Sequence, residues 1–257
     1  MIRFLIITQP RSGSSFLTSC LNSHPQIYCP RGSLFTKHNL SPFKWFQPSF
    51  LTVERSKSPY YKYRSTSFKR QIAHQFRRNK LIHEFLSAWY SKHQNSEAVG
   101  FKVNYSQINR YPATISWVNQ NDVKIIHLVR DNLLKRLVSH KIANTRNLNN
   151  TRKPLKPIKI NVDPKILLKD FRKRQKHFEK YRRVFKDIPF LELSYELMVA
   201  DQDTETHKVL KFLGVDQLIP LTTDLVKVNP DSLGGLIENY NEVKQILMNT
   251  EFENFLH

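Results

Sequence analysis

The sequence predicts an α/β domain in which helices flank a mainly parallel sheet. Short, nearly continuous apolar runs occur at residues 4–8, 98–104 and 123–129, and such runs are typical of strands that are buried on both faces. Longer segments with a helical repeat of apolar side chains lie between them. Because strands and helices alternate over 257 residues, we expect one domain built on a parallel sheet.

The remaining elements are predicted in chain order. After the first strand, Pro10 begins a turn, and a short helix over 16–22 ends near His24 and Pro25. We predict further helices at 67–93, 113–119, 132–143, 163–185, 203–213 and 236–249, a fourth strand at 190–193, and loops at 30–60 and 146–160. The apolar residues predicted to share one face of the helix 67–93 are Phe68, Ile72, Phe76, Leu81, Phe85, Leu86 and Trp89. Gly214 is expected to end the helix before it.

The composition excludes several classes of protein. The chain carries 41 Lys and Arg against 21 Asp and Glu, a formal charge of +20, but 40% of its residues are hydrophobic, so a disordered polybasic chain is excluded. No apolar run approaches the roughly 20 residues of a membrane span, and the N-terminal run is too short for a signal peptide. Two cysteines cannot form a disulfide framework, so we expect a reduced, cytoplasmic setting.

The positive charge is concentrated in two segments. Residues 31–95 hold 13 Lys and Arg against 2 Asp and Glu, and residues 141–186 hold 16 against 3. A polyanionic partner is one interpretation, whether nucleic acid, an anionic lipid surface, or an anionic small molecule or glycan; a solvated basic surface is the alternative. The helix at 163–185 has one apolar face, which favours a docked helix with a solvated basic side, and a platform for an anionic acceptor or a membrane surface is its alternative use.

The first strand is followed by a loop suited to binding an anion. Residues 9–15 are Gln-Pro-Arg-Ser-Gly-Ser-Ser and lead into a helix, whose first N–H groups carry partial positive charge. Gly13 lets the backbone approach an oxyanion, the serines add hydroxyl donors, and Arg11 adds a fixed cation. The loop has one Gly and no Lys after it, so it is not a Walker A loop, and a nucleoside-triphosphate kinase or ATPase is disfavoured. An ordinary turn with a serine cap is the alternative.

A second strand, turn and helix repeat this arrangement. Arg130 comes just after the strand at 123–129, at the sheet edge where ligands of parallel sheets bind, and Ser139 lies on the following helix. The two side chains can therefore reach one phosphate. The alternative is that Asp131 or Asn132 caps the helix while Arg130 forms a surface ion pair.

Both motifs resemble those of sulfotransferases that use the donor 3′-phosphoadenylyl sulfate (PAPS). Residues 8–17 (TQPRSGSSFL) resemble the 5′-phosphosulfate loop of that family, and residues 127–139 (HLVRDNLLKRLVS) resemble its 3′-phosphate motif. Further segments that resemble the family lie at 99–103, 193–197, 211–215, 227–230 and 237–243, and the last two are similar to the bacterial carbohydrate branch with its nodulation-factor and trehalose-type enzymes. The resemblance runs from residue 2 to about 252 and is poor in 36–95 and 146–186.

The resemblance implies a P-loop-kinase-like fold in a single domain over residues 1–257, with basic insertions at 36–95 and 146–186 on the acceptor side. It implies PAPS as the donor without a metal, and a hydroxyl of a carbohydrate or glycolipid as the acceptor. The positive charge of the two segments that match the family poorly favours an anionic acceptor, and contact with a membrane surface is a further expectation. The donor-binding residues that it implies are Arg11, Ser12, Gly13, Ser14, Ser15, Arg130, Ser139 and Lys227, with Asn229 and Lys102 as further candidates. Arg11 would also act in catalysis by stabilising charge on the bridging oxygen.

One departure from the family pattern concerns the general base. The bacterial enzymes carry a Glu, the expected base, where this chain has Ser33, and a neutral hydroxyl cannot do a carboxylate's proton work at pH 7. We predict His38 as the base, with His24, Glu54 or a group of the substrate as alternatives. The missing Glu leaves open a donor-binding pseudoenzyme. Residues 60–64 (YYKYR) interleave aromatic and basic side chains and leave open nucleic-acid binding, although no specific motif supports it.

Overall fold

A five-stranded parallel sheet, ordered β2–β3–β1–β4–β5, lies at the centre of the structure, a computed structural model that describes residues 1–35, 58–147, 151, 153, 155–226, 229 and 232–257. The strands are β1 (Ile2–Thr8), β2 (Ile27–Tyr28), β3 (Ala98–Asn104), β4 (Val123–Val129) and β5 (Phe190–Ser194). From β1 the chain runs first to β2 and β3 on one side and later to β4 and β5 on the other. Ligands of open parallel sheets bind at the carboxyl ends of the strands around such a reversal.

Helices connect and flank the strands, as the sequence predicted. They are α1 (Ser14–Leu21), α2 (Pro59–Ser65), α3 (Phe68–Phe76), α4 (Arg78–Lys92), α5 (Tyr105–Arg110), α6 (Ala113–Asn119), α7 (Leu133–Thr145), α8 (Leu167–Val184), α9 (Tyr195–Ala200), α10 (Gln202–Leu213) and α11 (Tyr240–Leu247), with 3-10 turns at Pro164–Ile166 and Glu253–Leu256. The predicted α/β architecture with a parallel sheet flanked by helices is confirmed. Gly214 ends α10 with a φ of 77°, as expected for a glycine that terminates a helix.

Both faces of the sheet are covered by helices, which explains the nearly continuous apolar runs of the strands. Along β1, Leu5 and Ile7 belong to the core shared with α4 to α8, whereas Phe4 and Ile6 belong to the core shared with α1 and α10. Since side chains alternate across a strand, a strand covered on both faces is apolar at most positions. The sheet is therefore a rigid base for the loops at its carboxyl edge.

The prediction of one helix over 67–93 was wrong. The chain forms α3 and α4 with a break at Arg77, and the apolar residues of α3 are exposed while those of α4 enter the core. The step from Phe76 to Leu81 is five residues, which rotates the apolar stripe by about 140° at about 100° per residue. One straight helix could not bury both stripes on one face. Short elements that the sequence reasoning missed are β2, α2, α5 and α9.

Three further findings concern the described part of the chain. No helix in it is long and apolar enough to cross a lipid bilayer. No group of three or more His, Cys, Asp or Glu side chains in these ranges is placed to hold a metal ion. Cys20 and Cys29 are both buried as free thiols, and burial raises the pKa of each to about 12.

Candidate functional site

The loop between β1 and α1 lies at the carboxyl end of the central strand. Its backbone is left-handed at Arg11 (φ 71°) and at Gly13 (φ 82°). Gly13 directly precedes the first turn of α1, and no side chain caps this end of the helix. The N–H groups of a first turn have no partners within their own helix. An uncapped helix start at the carboxyl edge of a sheet is a geometry that binds anions.

Two independent features require a glycine at position 13. A φ of 82° is unfavourable for a residue with a Cβ. A Cβ on Gly13 would also lie 2.1 Å from Cδ2 and 2.7 Å from Cε2 of Tyr195, the first residue of α9. The ring of Tyr195 therefore packs directly against the backbone of the loop and fixes its position.

The three serines of the loop have different surroundings. Ser12 is fully buried, and its hydroxyl has no hydrogen-bond partner among the described residues. Ser14 is half-buried at the start of α1, and Ser15 accepts a hydrogen bond of 3.0 Å from Nζ of Lys102. Because an unsatisfied buried hydroxyl costs about 1–3 kcal/mol, the Ser12 hydroxyl favours a polar ligand in this loop.

The structure brings the two predicted motifs into direct contact. Nε of Arg11 donates to Oγ of Ser139 at 3.1 Å, and Nη1 of Arg130 donates to the backbone carbonyl of Arg11 at 3.2 Å. These residues are 128 and 119 positions apart in sequence, and they meet because β1 and β4 are adjacent parallel strands that end at the same edge. Burial, and then the nearby charge of Arg130, lower the pKa of Arg11.

Helix α9 holds Arg130 from its other side. The guanidinium lies 4.7 Å from the ring centroid of Tyr195, and Nε is 3.6 Å from Oε1 of Glu196. The Glu196 carboxylate also accepts hydrogen bonds from the N–H groups of Asp131 and Asn132, and the Asn132 side chain caps α7. The start of α7 is thus already bound to an anion of the protein, unlike the start of α1. The capping Asn132 and the ion pair of Arg130, which the sequence left as an alternative, are both present beside the contact with the first loop.

Lys102 brings a further cation to this edge from β3. Its Nζ donates to Ser15, and burial, opposed by Cys29 and assisted by Arg11, lowers its pKa from 10.5 to about 8. A lysine with this pKa is mostly charged below pH 8 and mostly neutral above it. The charge of the loop's surroundings therefore changes with pH near neutrality.

Arg136 on α7 is a member of the cluster that the sequence reasoning missed. It is only 1% exposed; Nη1 donates to the carbonyl of Pro10 at 3.4 Å, and Nη2 is 3.8 Å from Oδ2 of Asp170. Arg174 on α8 binds the same carboxylate at 2.6 Å. Burial and then Arg174 lower the pKa of Arg136 to about 9. The available signal was its position three residues before Ser139, on the same face of α7.

Ser33, which stands where the family pattern has a Glu, lies beside the cluster. It forms a parallel bridge with Lys102. Its Oγ is 3.0 Å from Oε1 of Gln107 and 2.9 Å from the carbonyl of Phe35, to which Nε2 of Gln107 also donates. The Ser33 hydroxyl therefore belongs to a hydrogen-bond network that joins the segment after β2 to α5, which is a structural role.

Among the proposed bases, the described residues include His24. Its Nε2 is 2.8 Å from the carbonyl of Gln217 and its Nδ1 accepts from the N–H of Gln26 at 3.2 Å, so both ring nitrogens are engaged. With 2% exposure it is a structural residue after α1. Three predicted residues, His38, Glu54 and Lys227, lie outside the described residues, and their roles stay predictions.

Known proteins similar to this chain are sulfotransferases. A family model described as "Sulfotransferase family" matches residues 4–219, which include both loop motifs. No curated protein matches the chain. Similar solved structures include a sulfotransferase from Alicyclobacillus acidocaldarius (16% identity, TM-score 0.49, covering 100% of this chain and 96% of that chain), the sulfotransferase domain of the Synechococcus PCC 7002 olefin synthase (18%, 0.44, 84% and 74%) and the sulfotransferase domain from the curacin biosynthetic pathway (14%, 0.46, 84% and 75%). Because the family model matches residues 4–219, which are most of the chain, the chain belongs to the sulfotransferase family.

Proposed function

We propose that this chain transfers a sulfuryl group from PAPS to a hydroxyl of a carbohydrate or glycolipid. The observation that carries the proposal is the meeting of the two motifs, with Arg11 of the loop after β1 and Ser139 of the helix after β4 only 3.1 Å apart. A ligand that engages both motifs needs anionic groups at two places, and a nucleotide with a 5′-phosphosulfate and a 3′-phosphate has them.

The donor groups around the two loops suit such a nucleotide. Residues 11–15 and the first N–H groups of α1 would bind the 5′-phosphosulfate, with Lys102 as a second cation. Arg130 and Ser139 would bind the 3′-phosphate. We retain Lys227 as a proposed donor-binding residue on the resemblance alone.

Buried donors without partners support an oxyanion ligand here. The Ser12 hydroxyl and Nε of Arg136 are buried and have no hydrogen-bond partner among the described residues, whereas Nη2 of Arg136 forms an ion pair with Asp170 at 3.8 Å. Buried donors left unsatisfied are costly, so two of them beside one loop favour a negatively charged ligand.

The reaction would be an in-line displacement, by analogy with phosphoryl transfer. The acceptor oxygen forms a bond to sulfur, the bond from sulfur to the bridging phosphate oxygen breaks, and the acceptor hydroxyl loses its proton to a base. Arg11 and Lys102 are the cations that we propose to stabilise the charge on the departing oxygen. His38 is the proposed base, and a group of the substrate is the alternative.

The acceptor side is proposed to be formed by the two basic segments, 36–95 and 146–186. The donor motifs use only a few cations, so they do not account for the formal charge of +20. The remaining excess favours an anionic acceptor, such as an acidic glycan or a lipid-linked sugar. A lipid-linked sugar would suit a cytoplasmic enzyme that works beside the membrane.

A donor-binding protein without transferase activity is the second candidate. The observation that favours it is Ser33, which replaces the expected Glu and whose hydroxyl is held by Gln107 and Phe35. In this case the donor site would persist although no base acts on an acceptor. The two candidates predict the same nucleotide binding and differ only in transfer.

Nucleotide binding and transfer should therefore be measured separately. Calorimetry with adenosine 3′,5′-bisphosphate tests the donor site, and radiolabelled PAPS with a panel of neutral glycans, acidic glycans and lipid-linked sugars tests transfer. Arg130→Ala should weaken nucleotide binding by about tenfold or more. The control is Arg172→Ala, which removes an exposed arginine paired with Glu251 and should leave binding unchanged.

The three possible outcomes distinguish the two candidates and test the donor assignment. Binding with transfer supports the proposed enzyme, binding without transfer to any acceptor supports the pseudoenzyme, and absence of binding contradicts the donor assignment. If transfer occurs, the pH–rate profile of His38→Ala tests the base. An unchanged rate and an unchanged profile would exclude His38.

A further inference from the structure

Helix α3 presents its apolar side to solvent. Phe68, Ile72 and Phe76 recur at every fourth position and are 75%, 44% and 77% exposed. At about 100° per residue they cover an arc of about 80° on one side of the helix. Arg70 and His74 lie on the opposite side by the same count, so the polar side of α3 faces the protein.

Contacts on the polar side fix this orientation. Nδ1 of His74 is 2.9 Å from the hydroxyl of Tyr60, which is buried, and the guanidinium of Arg70 lies 3.9 Å from the ring centroid of Tyr63. Burial, and then nearby arginines, lower the pKa of His74 to about 4. The imidazole of His74 is therefore neutral at pH 7, so it packs against the protein without burying a charge. These contacts hold the apolar side outward.

The sequence around α3 is rich in basic residues. Residues 58–83 contain seven Lys and Arg and no Asp or Glu. Four of these cations, Lys62, Lys69, Arg77 and Lys80, are exposed. By the count of about 100° per residue, Lys69 borders the apolar stripe, and the other three cations lie on or next to the neighbouring helices. An outward apolar stripe in a basic segment is typical of helices that lie in the interface of an anionic bilayer.

We propose that α3 docks this protein on an anionic lipid surface. Phe68, Ile72 and Phe76 would enter the boundary between headgroups and acyl chains, and the four exposed cations would bind lipid phosphates. The occupant is a bilayer rather than nucleic acid, because Ile72 has no ring for stacking on a base and the apolar stripe has no counterpart on a phosphate backbone. This docking does not depend on the proposed transfer reaction.

On the other basic helix, α8, the apolar side is buried instead of exposed. Leu167, Phe171, Phe178 and Tyr181 form the apolar side of α8, and all four are buried. Helix α8 can attract an anionic surface only through charge, which salt screens. The inference therefore assigns insertion to α3, and α8 provides a matched control.

The first test is binding of the full chain to vesicles of phosphatidylcholine with or without phosphatidylglycerol, measured by flotation. Wild type should bind the anionic vesicles, and the variant F68S/I72S/F76S should bind them about tenfold or more weakly. The control variant I166S/L218S/I246S removes three apolar side chains that are also exposed and should bind like wild type. Circular dichroism and thermal melting should be unchanged, since all six side chains are exposed.

The second test separates the two basic helices. The variant K69Q/R77Q/K80Q should bind anionic vesicles about tenfold or more weakly, since each cation near an anionic surface contributes to binding. The variant K169Q/K173Q/K176Q removes three exposed cations of α8 and should reduce binding by less than about threefold. Equal losses in the two variants would mean that binding follows net charge alone, which contradicts the proposal.

Three measurements identify other occupants of the face: probe fluorescence, oligomeric state and nucleic-acid binding. The emission maximum of a polarity-sensitive fluorophore attached to Ile72→Cys should shift to the blue when anionic vesicles are added. Cys20 and Cys29 are buried and should not be labelled. A spectrum already shifted in lipid-free monomer and unchanged by vesicles would indicate that another part of this chain covers the face. A wild-type dimer that F68S/I72S/F76S converts to monomer, without vesicle binding, would indicate a second copy. Nucleic-acid binding without vesicle binding would point to nucleic acid, and each of these three outcomes overturns the proposal.

Discussion

Arg11 donates a hydrogen bond from Nε to Oγ of Ser139 at 3.1 Å, and this contact joins the loop after β1 to the helix after β4. The two residues come from separate motifs that were each assigned to a different phosphate of the donor. In the proposed donor site, this contact would couple the two phosphate subsites. A phosphate bound at Ser139 would then affect the guanidinium of Arg11 at the other subsite, and the reverse would also hold.

This coupling predicts non-additive losses. Ser139→Ala and Arg11→Ala should each weaken binding of adenosine 3′,5′-bisphosphate, and the double variant should lose less than the sum of the two free energies by about 1 kcal/mol, because the two side chains share one hydrogen bond. Calorimetry of the four proteins measures this term.

The control for this cycle is the pair Arg172 and Ser139. Arg172, on α8, is exposed and paired with Glu251, so Arg172→Ala and Ser139→Ala should be additive within about 0.5 kcal/mol. Additive losses for Arg11 and Ser139 would mean that their contact has no role in binding the nucleotide.

Sequence reasoning placed each motif directly after a strand of a parallel sheet, and this topology explains why the two motifs share one edge. Each motif follows an apolar run, and parallel strands bring their carboxyl ends to one side of the sheet. It could not predict that Tyr195 packs on Gly13 or that Arg136 is buried against Pro10. Both contacts depend on how helices pack around the edge, and a buried arginine has no hydropathy signal.

The packing of Tyr195 against Gly13 predicts a strong effect of Gly13→Ala. The new Cβ would lie 2.1 Å from Cδ2 of Tyr195, and a φ of 82° would strain any residue other than glycine. We expect the free energy of unfolding to fall by about 2 kcal/mol or more, and nucleotide binding to fall with it. Denaturant unfolding and calorimetry measure the two effects.

Gly32→Ala is the matched control, since its φ is not in the left-handed region and a Cβ there meets nothing within 4 Å. It should change the free energy of unfolding by less than about 0.5 kcal/mol. Gly13→Ala/Tyr195→Ala should recover part of the stability lost in Gly13→Ala, because the clash is removed and only the backbone strain stays. A double variant no more stable than Gly13→Ala would show that the clash is not the cause.

The pKa of Lys102 predicts a pH dependence of nucleotide binding. Burial lowers this pKa to about 8, so the ammonium loses its charge as pH rises through about 8. The phosphates of adenosine 3′,5′-bisphosphate are ionised above pH 7, since their second pKa is about 6, and do not change in this range. Affinity should therefore fall about threefold to tenfold between pH 7 and 9.5.

Lys102→Met tests the origin of this fall. The variant should bind at pH 7 about as weakly as wild type does at pH 9.5, and its affinity should not depend on pH over this range. Lys173→Met, which removes an exposed lysine on α8, should keep the wild-type profile. A fall in affinity that persists in Lys102→Met would assign the pH dependence to another group.

The faces of helices were predicted less well than their presence. Residues 68–92 were correctly predicted as helical over most positions, but the apolar stripe was assigned to one face. The side of α3 that faces the protein is decided by His74 and Arg70, which find partners on α2. Periodicity identifies an apolar side of a helix, but it does not tell whether that side meets the core or the surroundings.

A chain of polar groups that runs from the buried Tyr105 and His127 to Glu192 and Arg182 at the surface predicts a stability that depends on pH. The hydroxyl of Tyr105 bonds to Nε2 of His127, whose Nδ1 is 2.8 Å from Oε2 of Glu192, and Arg182 contacts both Glu192 oxygens at 2.8 and 2.7 Å. Burial alone would raise the pKa of Glu192, but the hydrogen bonds from His127 and Arg182 outweigh it and lower the pKa to about 2. A carboxyl whose pKa is lower in the folded state stabilises the protein above its unfolded pKa.

Glu192→Gln should therefore reduce the free energy of unfolding at pH 7 by about 1 kcal/mol, because hydrogen bonds to a charged group are lost and solvent screens this partly exposed carboxylate. The unfolded pKa of Glu is about 4.3, so the contribution of Glu192 is complete above that value and is lost as pH falls through about 2. The difference between wild type and Glu192→Gln should shrink from pH 7 to pH 3, as measured by urea unfolding at both values. Glu251→Gln, which removes an exposed partner of Arg172, should change stability little at either pH. A difference for Glu192→Gln that stays constant down to pH 3 would show that its carboxylate charge does not stabilise the fold.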